Sequence, residues 1–281
     1  MSDWYEIDKP VSAIELDDRG LQYGDGLFET IAIRQGEPRL WDLHYERLAR
    51  GCRRLGLVTP AVKVLRARLD AALANSDCDP VFSIAKIILT AGVAQRGYGR
   101  SMPADPRVFV GVFQSAPVSR SSYVTGVATI LCNTRLAIGA ATAGLKTLNR
   151  LEQVLARSEC LPTGAFEGLT LDVEDKLVCG TMSNVFIVKD NLIRTPALER
   201  CGVDGTMRRH LLALLNATKL TCEIGSLSEN DLADADEVFL TNSQMGAIPV
   251  NRCGDQSWPV GPITKQVLGL LADNGVLECR A

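Results

Sequence analysis

The stretch that decides the fold is "GLKTLNRLEQVLAR", residues 144–157. Its apolar residues recur at helical spacing, so the pattern predicts an amphipathic helix with one face in a core. These apolar residues are Leu148, Leu151, Val154 and Leu155. Lys146 stands where the apolar face begins, and burying an ammonium group without a partner is costly. Because apolar surroundings lower the pKa of a lysine and make it nucleophilic, Lys146 is a candidate to attack an aldehyde and to act as a general base.

Composition excludes several classes of protein. The 281 residues are 46% hydrophobic and 22% charged, which suffices for a globular core and for two modest domains. The 30 basic and 33 acidic residues form no basic run that would bind a phosphate backbone, so nucleic acid is not an expected partner. No apolar run approaches the roughly 20 residues of a membrane helix, and the start resembles no signal peptide, so we expect a cytoplasmic protein without a membrane partner.

The cysteines and histidines also limit the chemistry. The nine cysteines are scattered singly without a C-x-x-C pair, which indicates reduced thiols that are mostly buried. The two histidines, His44 and His210, are too few for a histidine-rich site, so no metal is expected. His44 lies in a predicted helix with no nucleophile motif nearby, which argues against a Ser/His/Asp triad.

Hydrophobic periodicity predicts a mixed α/β chain of two domains. The expected strands are 27–36, 82–92, 107–114, 124–133, a meander over 168–196 with Asp-Asn at a tight turn, and a final strand 237–242. The expected helices are 43–57, 61–75, the lysine segment, 205–217 and 264–273. The Ser- and Pro-rich stretch "QSAPVSRSS" predicts a linker at 115–121 between a domain of residues 1–114 and a domain of residues 122–281.

Two glycine-containing stretches have different meanings. In "RGLQYGDGLFET" the spacing is not that of a dinucleotide-binding loop, so Gly24 and Gly26 indicate a tight turn. In "CGVDGTMRRHLLALL" the glycines precede a helix, whose free N–H groups and dipole favour an anion such as phosphate. The alternative is a helix start that only needs a flexible backbone. Asn242 and Ser243, which follow a strand, are candidate donors to the same phosphate.

Lys146 also has a structural interpretation, in which its side chain extends over a helix end with the ammonium in water. The candidate phosphate site favours a function for it instead. Arg47 does so too, since a guanidinium fork suits a phosphate or a carboxylate.

Six motifs together resemble one enzyme family. They are, in order, "RGLQYGDGLFET", "HYERL", "AGLKTLNRLEQVLAR", "SNVFIV", "CGVDGTMR" and "TNSQMGAIPV". They resemble the fold-type IV pyridoxal-phosphate (PLP) enzymes over nearly the whole chain. The lysine segment resembles the branch of 4-amino-4-deoxychorismate lyases more than the branched-chain or D-amino-acid aminotransferases. The resemblance implies a small N-terminal α/β domain, a larger β-barrel-like α/β domain that carries the lysine, a homodimer, and PLP in the interdomain cleft.

The resemblance also implies roles for individual residues. Lys146 would be the catalytic residue and the one that binds the cofactor covalently. Further cofactor contacts would come from Arg47, Cys179, Asn184, Thr206, Met207, Asn242 and Ser243. Substrate contacts would come from Tyr23, Glu29, Arg96 and Tyr98, the last two being candidates to bind a substrate carboxylate.

Two positions depart from the family pattern. Five residues before the asparagine of "SNVF", the family usually has a glutamate that keeps the pyridine nitrogen protonated, and this chain has Cys179. Where relatives often have arginine ahead of the substrate loop, the motif "TAG" has Ala91. The first change weakens the electron sink, and the second alters carboxylate binding.

These departures bear on the expected reaction. A transaminase must delocalise a carbanion into the pyridine ring of the cofactor. Loss of pyruvate from aminodeoxychorismate forms an aromatic product, so this reaction depends less on the pyridine ring. We therefore expect a PLP-dependent carbon–oxygen or carbon–carbon type lyase that makes 4-aminobenzoate and pyruvate for folate synthesis. The alternatives are a fold-type IV aminotransferase and a catalytically weak PLP-binding protein.

Overall fold

A computed structural model describes residues 3–7, 9–100, 102–139 and 141–280. The strands are β1 (Asp3–Glu6), β2 (Lys9–Val11), β3 (Gly26–Arg34), β4 (Glu37–Pro38), β5 (Phe82–Thr90), β6 (Arg107–Gln114), β7 (Val127–Leu131), β8 (Glu167–Leu171), β9 (Lys176–Gly180), β10 (Asn184–Lys189), β11 (Leu192–Pro196), β12 (Cys222–Gly225), β13 (Leu227–Ser228), β14 (Glu237–Asn242), β15 (Gly246–Cys253) and β16 (Gln256–Ser257). The helices are α1 (Arg19–Tyr23), α2 (Trp41–Leu55), α3 (Val62–Ala74), α4 (Arg120–Thr125), α5 (Leu151–Cys160), α6 (Thr206–Leu215), α7 (Glu229–Ala233) and α8 (Pro262–Asp273). None of the helices in these ranges combines the length and the hydropathy that a membrane crossing requires.

The chain forms two compact units, each built on one sheet. The first unit is Met1–Ala116 with Leu145–Asn149, and the second is Pro117–Gly144 with Arg150–Ala281. The expected mixed α/β class with two sheets is therefore confirmed. The expected limits 1–114, 115–121 and 122–281 stay a prediction.

The sheet of the first unit has six strands in the order β2-β1-β6-β5-β3-β4. Successive side chains of a strand point to opposite faces, and β5 follows this rule with alternating burial. Ala85, Ile87 and Leu89 are buried in a core cluster together with residues of α2 and α3 such as Leu48 and Leu65. Phe82, Ile84, Lys86 and Ile88 lie on the opposite face and are half-buried.

The sheet of the second unit follows the order β12-β11-β10-β14-β15-β7-β8-β9-β13, with β16 beside β15. Its centre contains Phe186 of β10 and Phe239 of β14, whose rings stack with centroids 4.9 Å apart. The two strands are antiparallel and Asn184 lies opposite Thr241. The first residue of β10 and the last residues of β14 therefore lie at the same end of the sheet.

The strands expected over 168–196 are present as β8 to β11, but they form two antiparallel pairs, β8 with β9 and β10 with β11, and not one continuous meander, since β9 pairs next with β13 and β10 with β14. The expected tight turn is formed by Asp190 and Asn191, whose φ angles are 50° and 64°. Positive φ at both central positions is the geometry of a type I′ hairpin turn, which Asn and Asp tolerate. The expectation that 237–242 is the final strand is wrong, since β15 and β16 follow it.

The lysine segment differs from the predicted helix. Helix α5 begins only at Leu151, and residues 145–149 run alongside the start of β3, with Thr147 opposite Leu27. This pairing places Lys146 in the first unit, whereas the sequence led us to expect it in the large domain. The predicted burial of the apolar face is also wrong, since Leu151, Val154 and Leu155 are 70%, 57% and 53% exposed. Periodicity shows that a helix has an apolar face but not what covers it.

Candidate functional site

Backbone hydrogen bonds fix Lys146 beside β3. The Phe28 N–H donates to the Lys146 carbonyl at 2.9 Å, and the Leu148 N–H donates to the Gly26 carbonyl at 3.1 Å. The Lys146 Nζ lies 4.2 Å from the centroid of the Phe28 ring, which is a cation–π distance. The side chain is half-buried. The structure thus places the candidate nucleophile on an ordered backbone and against an apolar ring.

A buried carboxylate joins β3 to α2 in the same unit. Glu29 is 1% exposed and accepts hydrogen bonds from Arg47 at both oxygens, from Nε at 2.8 Å and from Nη2 at 2.5 Å. It also lies 2.6 Å from Nδ1 of His44, which is itself buried. Glu29 was predicted to contact substrate and Arg47 to bind phosphate. The structure brings the two together in one bidentate ion pair, and their roles toward ligands stay predictions.

The pKa values of this cluster follow from burial and charge. Burial alone would raise the pKa of Glu29, but the charge and hydrogen bonds of Arg47 and the hydrogen bond of His44 outweigh it and lower that pKa to about 2. Burial lowers the pKa of His44, and the nearby charges of Arg47 and Lys146 add to this against the opposing effect of Glu29. Near neutral pH the cluster therefore holds an ionised Glu29 and an uncharged His44, whose Nδ1–H donates.

The candidate substrate residues of the loop after β5 lie on an organised turn. Arg19 donates from Nη1 to the Gly97 carbonyl at 2.8 Å and from Nη2 to the Tyr98 carbonyl at 3.0 Å. The Tyr98 side chain is 87% exposed, and its ring centroid lies 5.5 Å from that of Tyr23. Arg96 is exposed on the same loop. The loop therefore presents the predicted side chains on a backbone that Arg19 holds.

Ala91 precedes this loop and is almost fully buried. Its N–H donates to the Asp25 carbonyl at 2.9 Å, which ties the end of β5 to the turn after α1. A methyl group cannot bind a carboxylate, so this position keeps only a structural contact.

In the second unit, Cys179 lies near the end of β9. Its side chain is 5% exposed, and its Sγ is 3.6 Å from the Thr170 hydroxyl, which donates to the Cys179 carbonyl at 2.9 Å. Burial raises the pKa of the Cys179 thiol to about 12. The position therefore carries no negative charge at neutral pH.

A second carboxylate nearby organises the loop after β9. Glu167 is fully buried and accepts hydrogen bonds from the hydroxyls of Thr181 and Ser183 at 2.5 Å and 2.8 Å. The N–H groups of Gly168, Thr181 and Met182 also donate to it. The Glu167 oxygens therefore accept hydrogen bonds from the loop that leads into Asn184. Glu167 was not among the predicted site residues. Its position as an acidic residue at the start of an apolar strand could have indicated a buried carboxylate with partners.

Asn184 connects β10 to the segment that enters α6. Its Nδ2 donates to the Val203 carbonyl at 2.9 Å. A side chain on Gly205 would overlap the Asn184 Oδ1, so glycine at the N-cap of α6 leaves room for this amide. The first turn of α6, with Thr206 and Met207, has no side-chain cap. An uncapped helix start leaves N–H groups that an anion can accept from.

The end of β14 completes this end of the sheet. The Asn242 Oδ1 accepts from the N–H groups of Gln244 and Met245, both at 2.9 Å, so the side chain forms the turn that holds Ser243. The hydroxyl of Thr241, opposite Asn184, is buried and has no hydrogen-bond partner among the described residues. Buried polar groups normally have a partner. A buried hydroxyl without a partner and a helix start without a side-chain cap, both in the second unit, fit a bound phosphate group.

Each unit therefore offers groups that suit one part of PLP. The second unit offers neutral donors for the phosphate, and Lys146 offers an amine for the aldehyde. Cys179 offers a neutral thiol where the family pattern has a carboxylate for the ring nitrogen.

Comparison with known proteins identifies the class. The amino-transferase class IV family description matches residues 26–253, so the chain belongs to this family. The chain is 34% identical to an aminodeoxychorismate lyase of Vibrio harveyi over 93% of its own length and 97% of that protein. It is 28% identical to a D-alanine aminotransferase of Bacillus licheniformis over 97% and 95% of the two chains.

A solved structure gives the same assignment. The crystal structure of 4-amino-4-deoxychorismate lyase from Pseudomonas aeruginosa is 41% identical and superposes with a TM-score of 0.90, covering 97% of this chain and 99% of that one. The predicted fold-type IV class is confirmed, and so is the predicted dependence on PLP.

Proposed function

We propose that this protein is the lyase that converts 4-amino-4-deoxychorismate to 4-aminobenzoate and pyruvate, which serves folate synthesis. The observation that carries the proposal is its similarity to two lyases over more than nine-tenths of the chain. The lyases are also more similar to it than the D-alanine aminotransferase is.

The proposed roles toward the cofactor are those that the family resemblance implies. Lys146 binds PLP covalently through Nζ. The N–H groups of Thr206 and Met207, the side chain of Arg47 and the turn at Asn242 and Ser243 bind its phosphate. Asn184 holds the segment that positions α6. Cys179 lies at the ring nitrogen. When bound, PLP withdraws electrons from the carbon that bears the substrate amine.

Lys146 is the proposed general base and acid. Once the substrate amine has displaced Lys146, its uncharged amine removes the proton from the amine-bearing carbon. The adjacent carbon–oxygen bond then breaks, and the electron pair leaves with the enolpyruvyl oxygen. The Lys146 ammonium returns the proton to the departing group, which becomes pyruvate. The ring becomes aromatic, so 4-aminobenzoate needs no oxidant. Tyr23, Glu29, Arg96 and Tyr98 remain the proposed substrate residues, with Arg96 and Tyr98 at a carboxylate.

The thiol at position 179 favours elimination over transamination. A carboxylate there would stabilise a proton on the ring nitrogen, and a buried thiol with a pKa of about 12 cannot. Elimination gains the stability of an aromatic ring, so it depends less on that proton. The aminotransferase and the weak PLP-binding protein are the alternatives that this reasoning disfavours.

A homodimer and a cytoplasmic location belong to the same proposal. The exposed apolar side chains of α5 continue through Leu161, which is 74% exposed, and such a face is typical of a subunit interface. All nine cysteines are free thiols, as the sequence analysis expected, which suits a reducing compartment.

The experiment for this proposal is Lys146→Ala. We expect loss of the visible absorbance of the bound cofactor and a fall in lyase turnover of at least about a hundredfold, because the base is removed. Lys63→Ala, an exposed lysine on α3, is the matched control and should behave as wild type. Full activity in Lys146→Ala would contradict the mechanism.

A further inference from the structure

A second lysine lies on the same face of the first sheet as the ring that contacts Lys146. Lys86 is in the middle of β5, opposite Thr30 of β3 and Gly111 of β6. It is half-buried and faces away from the core cluster. Its Nζ lies 5.3 Å from the centroid of the Phe28 ring. A half-buried position in the middle of a central strand normally carries an apolar side chain or a polar one with a hydrogen-bond partner. An ammonium group at such a position needs a partner.

Phe28 therefore has two ammonium groups against one ring. Lys146 Nζ is 4.2 Å from its centroid and Lys86 Nζ is 5.3 Å from it, so the two nitrogens are separated by at most the sum of these distances. No carboxylate in the described part of the chain forms an ion pair with Lys86. Lys86 therefore has no counter-charge among the described residues, and a bound anion would supply one.

We infer that Lys86 binds the substrate carboxylate that lies para to the reacting amine. The inference rests on the proposed function and adds the residue that recognises the far end of its substrate. A substrate ring that packs against Phe28 with its amine-bearing carbon at Lys146 would present its far end to Lys86, because both ammonium groups contact Phe28. Lys146 serves the amine end and Lys86 the carboxylate end.

The surroundings of Lys86 suit such a ring. Ile88 lies directly opposite Phe28 on the neighbouring strand, so both side chains are on the face that carries Lys86. An aromatic ring and a branched aliphatic side chain provide an apolar platform, and a lysine provides a point charge at its edge. The α-amino acids that aminotransferases use carry the amine and a carboxylate on one carbon. A charge at Lys86 therefore selects the ring-shaped acid over these substrates.

The test separates carboxylate recognition from catalysis. Dissociation constants of the PLP-loaded enzyme are measured for 4-aminobenzoate and for 4-aminobenzamide, which has the same shape without the charge. Wild type should bind the acid at least about tenfold more tightly than the amide, since a hydrogen bond to a charged group is among the strong ones. Lys86→Gln should lose this preference, and Lys86→Arg should keep it within about threefold.

Two controls keep the result unambiguous. Lys63→Gln removes the same charge from an exposed position of the same unit and should leave the preference unchanged. The visible absorbance of the cofactor should be the same in every variant, which shows that the fold and Lys146 are intact. The KM for aminodeoxychorismate should rise in Lys86→Gln at least about tenfold while kcat changes little.

Each outcome has one meaning. If Lys86→Gln keeps the wild-type preference for the acid, or if wild type shows none, the inference is overturned even when the lyase assay succeeds. If wild type makes no 4-aminobenzoate from aminodeoxychorismate but its preference for the acid depends on Lys86, the proposed function is wrong and the carboxylate site stands.

Discussion

Glu29 is the buried carboxylate that neutralises Arg47 in the first unit. Arg47 is 5% exposed, so its charge has almost no water to stabilise it without this partner. The pKa of Glu29 falls from 4.5 to about 2 because Arg47 and His44 stabilise the ionised form more than burial opposes it. Between pH 4.5 and about 2, Glu29 is therefore ionised in the folded protein, whereas the same carboxyl group is protonated in the unfolded chain.

We predict that Glu29→Gln lowers the free energy of unfolding at pH 7 by about 3–5 kcal/mol, because it removes the buried charge that accepts two hydrogen bonds from the Arg47 guanidinium. In wild type this contribution is complete above pH 4.5 and is lost as the pH falls towards about 2, so stability decreases with acid in that window. Denaturant titrations between pH 7 and pH 2 measure both effects.

Glu37→Gln is the control, since it removes an exposed carboxylate that pairs with Arg66 at 3.0 Å. It should cost at most about 1 kcal/mol. If both variants lost the same free energy of unfolding, the buried pair would contribute no more to stability than the exposed one, which would contradict the prediction.

Cys179 stands where the family usually has a glutamate, so this position carries no negative charge. We predict that Cys179→Glu raises the rate of keto-acid-dependent conversion of the cofactor between its aldehyde and amine forms by at least about tenfold, because a charged acceptor supports the ring proton. Lyase turnover should change less than about threefold. Absorbance of the cofactor with an amino acid, followed by a keto acid, measures the first rate.

Cys179→Ser keeps a neutral side chain and should leave both rates near those of wild type. An equal gain in lyase turnover and transamination in Cys179→Glu would mean that elimination here depends on the ring proton, against our interpretation of the thiol.

At the scale of elements, helix α5 carries an apolar face that its own unit does not bury. Only Ala156 and Cys160 of α5 are buried, whereas its leucines and valine are exposed. Exposed apolar area of this kind favours association with a second copy of the chain.

We therefore predict that Leu151→Glu combined with Leu155→Glu shifts the protein from dimer to monomer at micromolar concentration, since each charge would have to be buried in the interface. Sedimentation equilibrium of the PLP-loaded protein measures the association. Val173→Glu changes an apolar residue that is 59% exposed in the turn between β8 and β9 and should leave the dimer intact. A wild-type monomer, or a dimer unaffected by the double change, would contradict the assignment of this face.

The elements also show what a sequence can and cannot predict. Helices α2, α3, α6 and α8 and strands β3, β5, β6 and β14 follow local periodicity, so the sequence predicts them closely. The start of α5 does not follow it, because residues 145–149 gain hydrogen bonds from β3, which lies more than a hundred residues earlier in the chain. A tertiary contact of this kind overrides a local pattern.

Across the molecule, the sequence does not show which residues of the candidate site contact one another. Lys146 and Cys179 could be singled out from their motifs, since each stands at a fixed position within a recognisable stretch. The pairing of Glu29 with Arg47 and the placement of Lys86 against Phe28 depend on strands that come together only in the fold. The sequence therefore predicts which residues carry chemistry better than it predicts their partners.

The lyase reaction can be observed through its two products. The purified, PLP-loaded protein is given enzymatically generated 4-amino-4-deoxychorismate, and 4-aminobenzoate and pyruvate are both quantified. We predict that the two appear in equal amounts and at a rate that Lys146→Ala abolishes. Absence of both products from a sample that shows the absorbance of bound cofactor would contradict the lyase assignment.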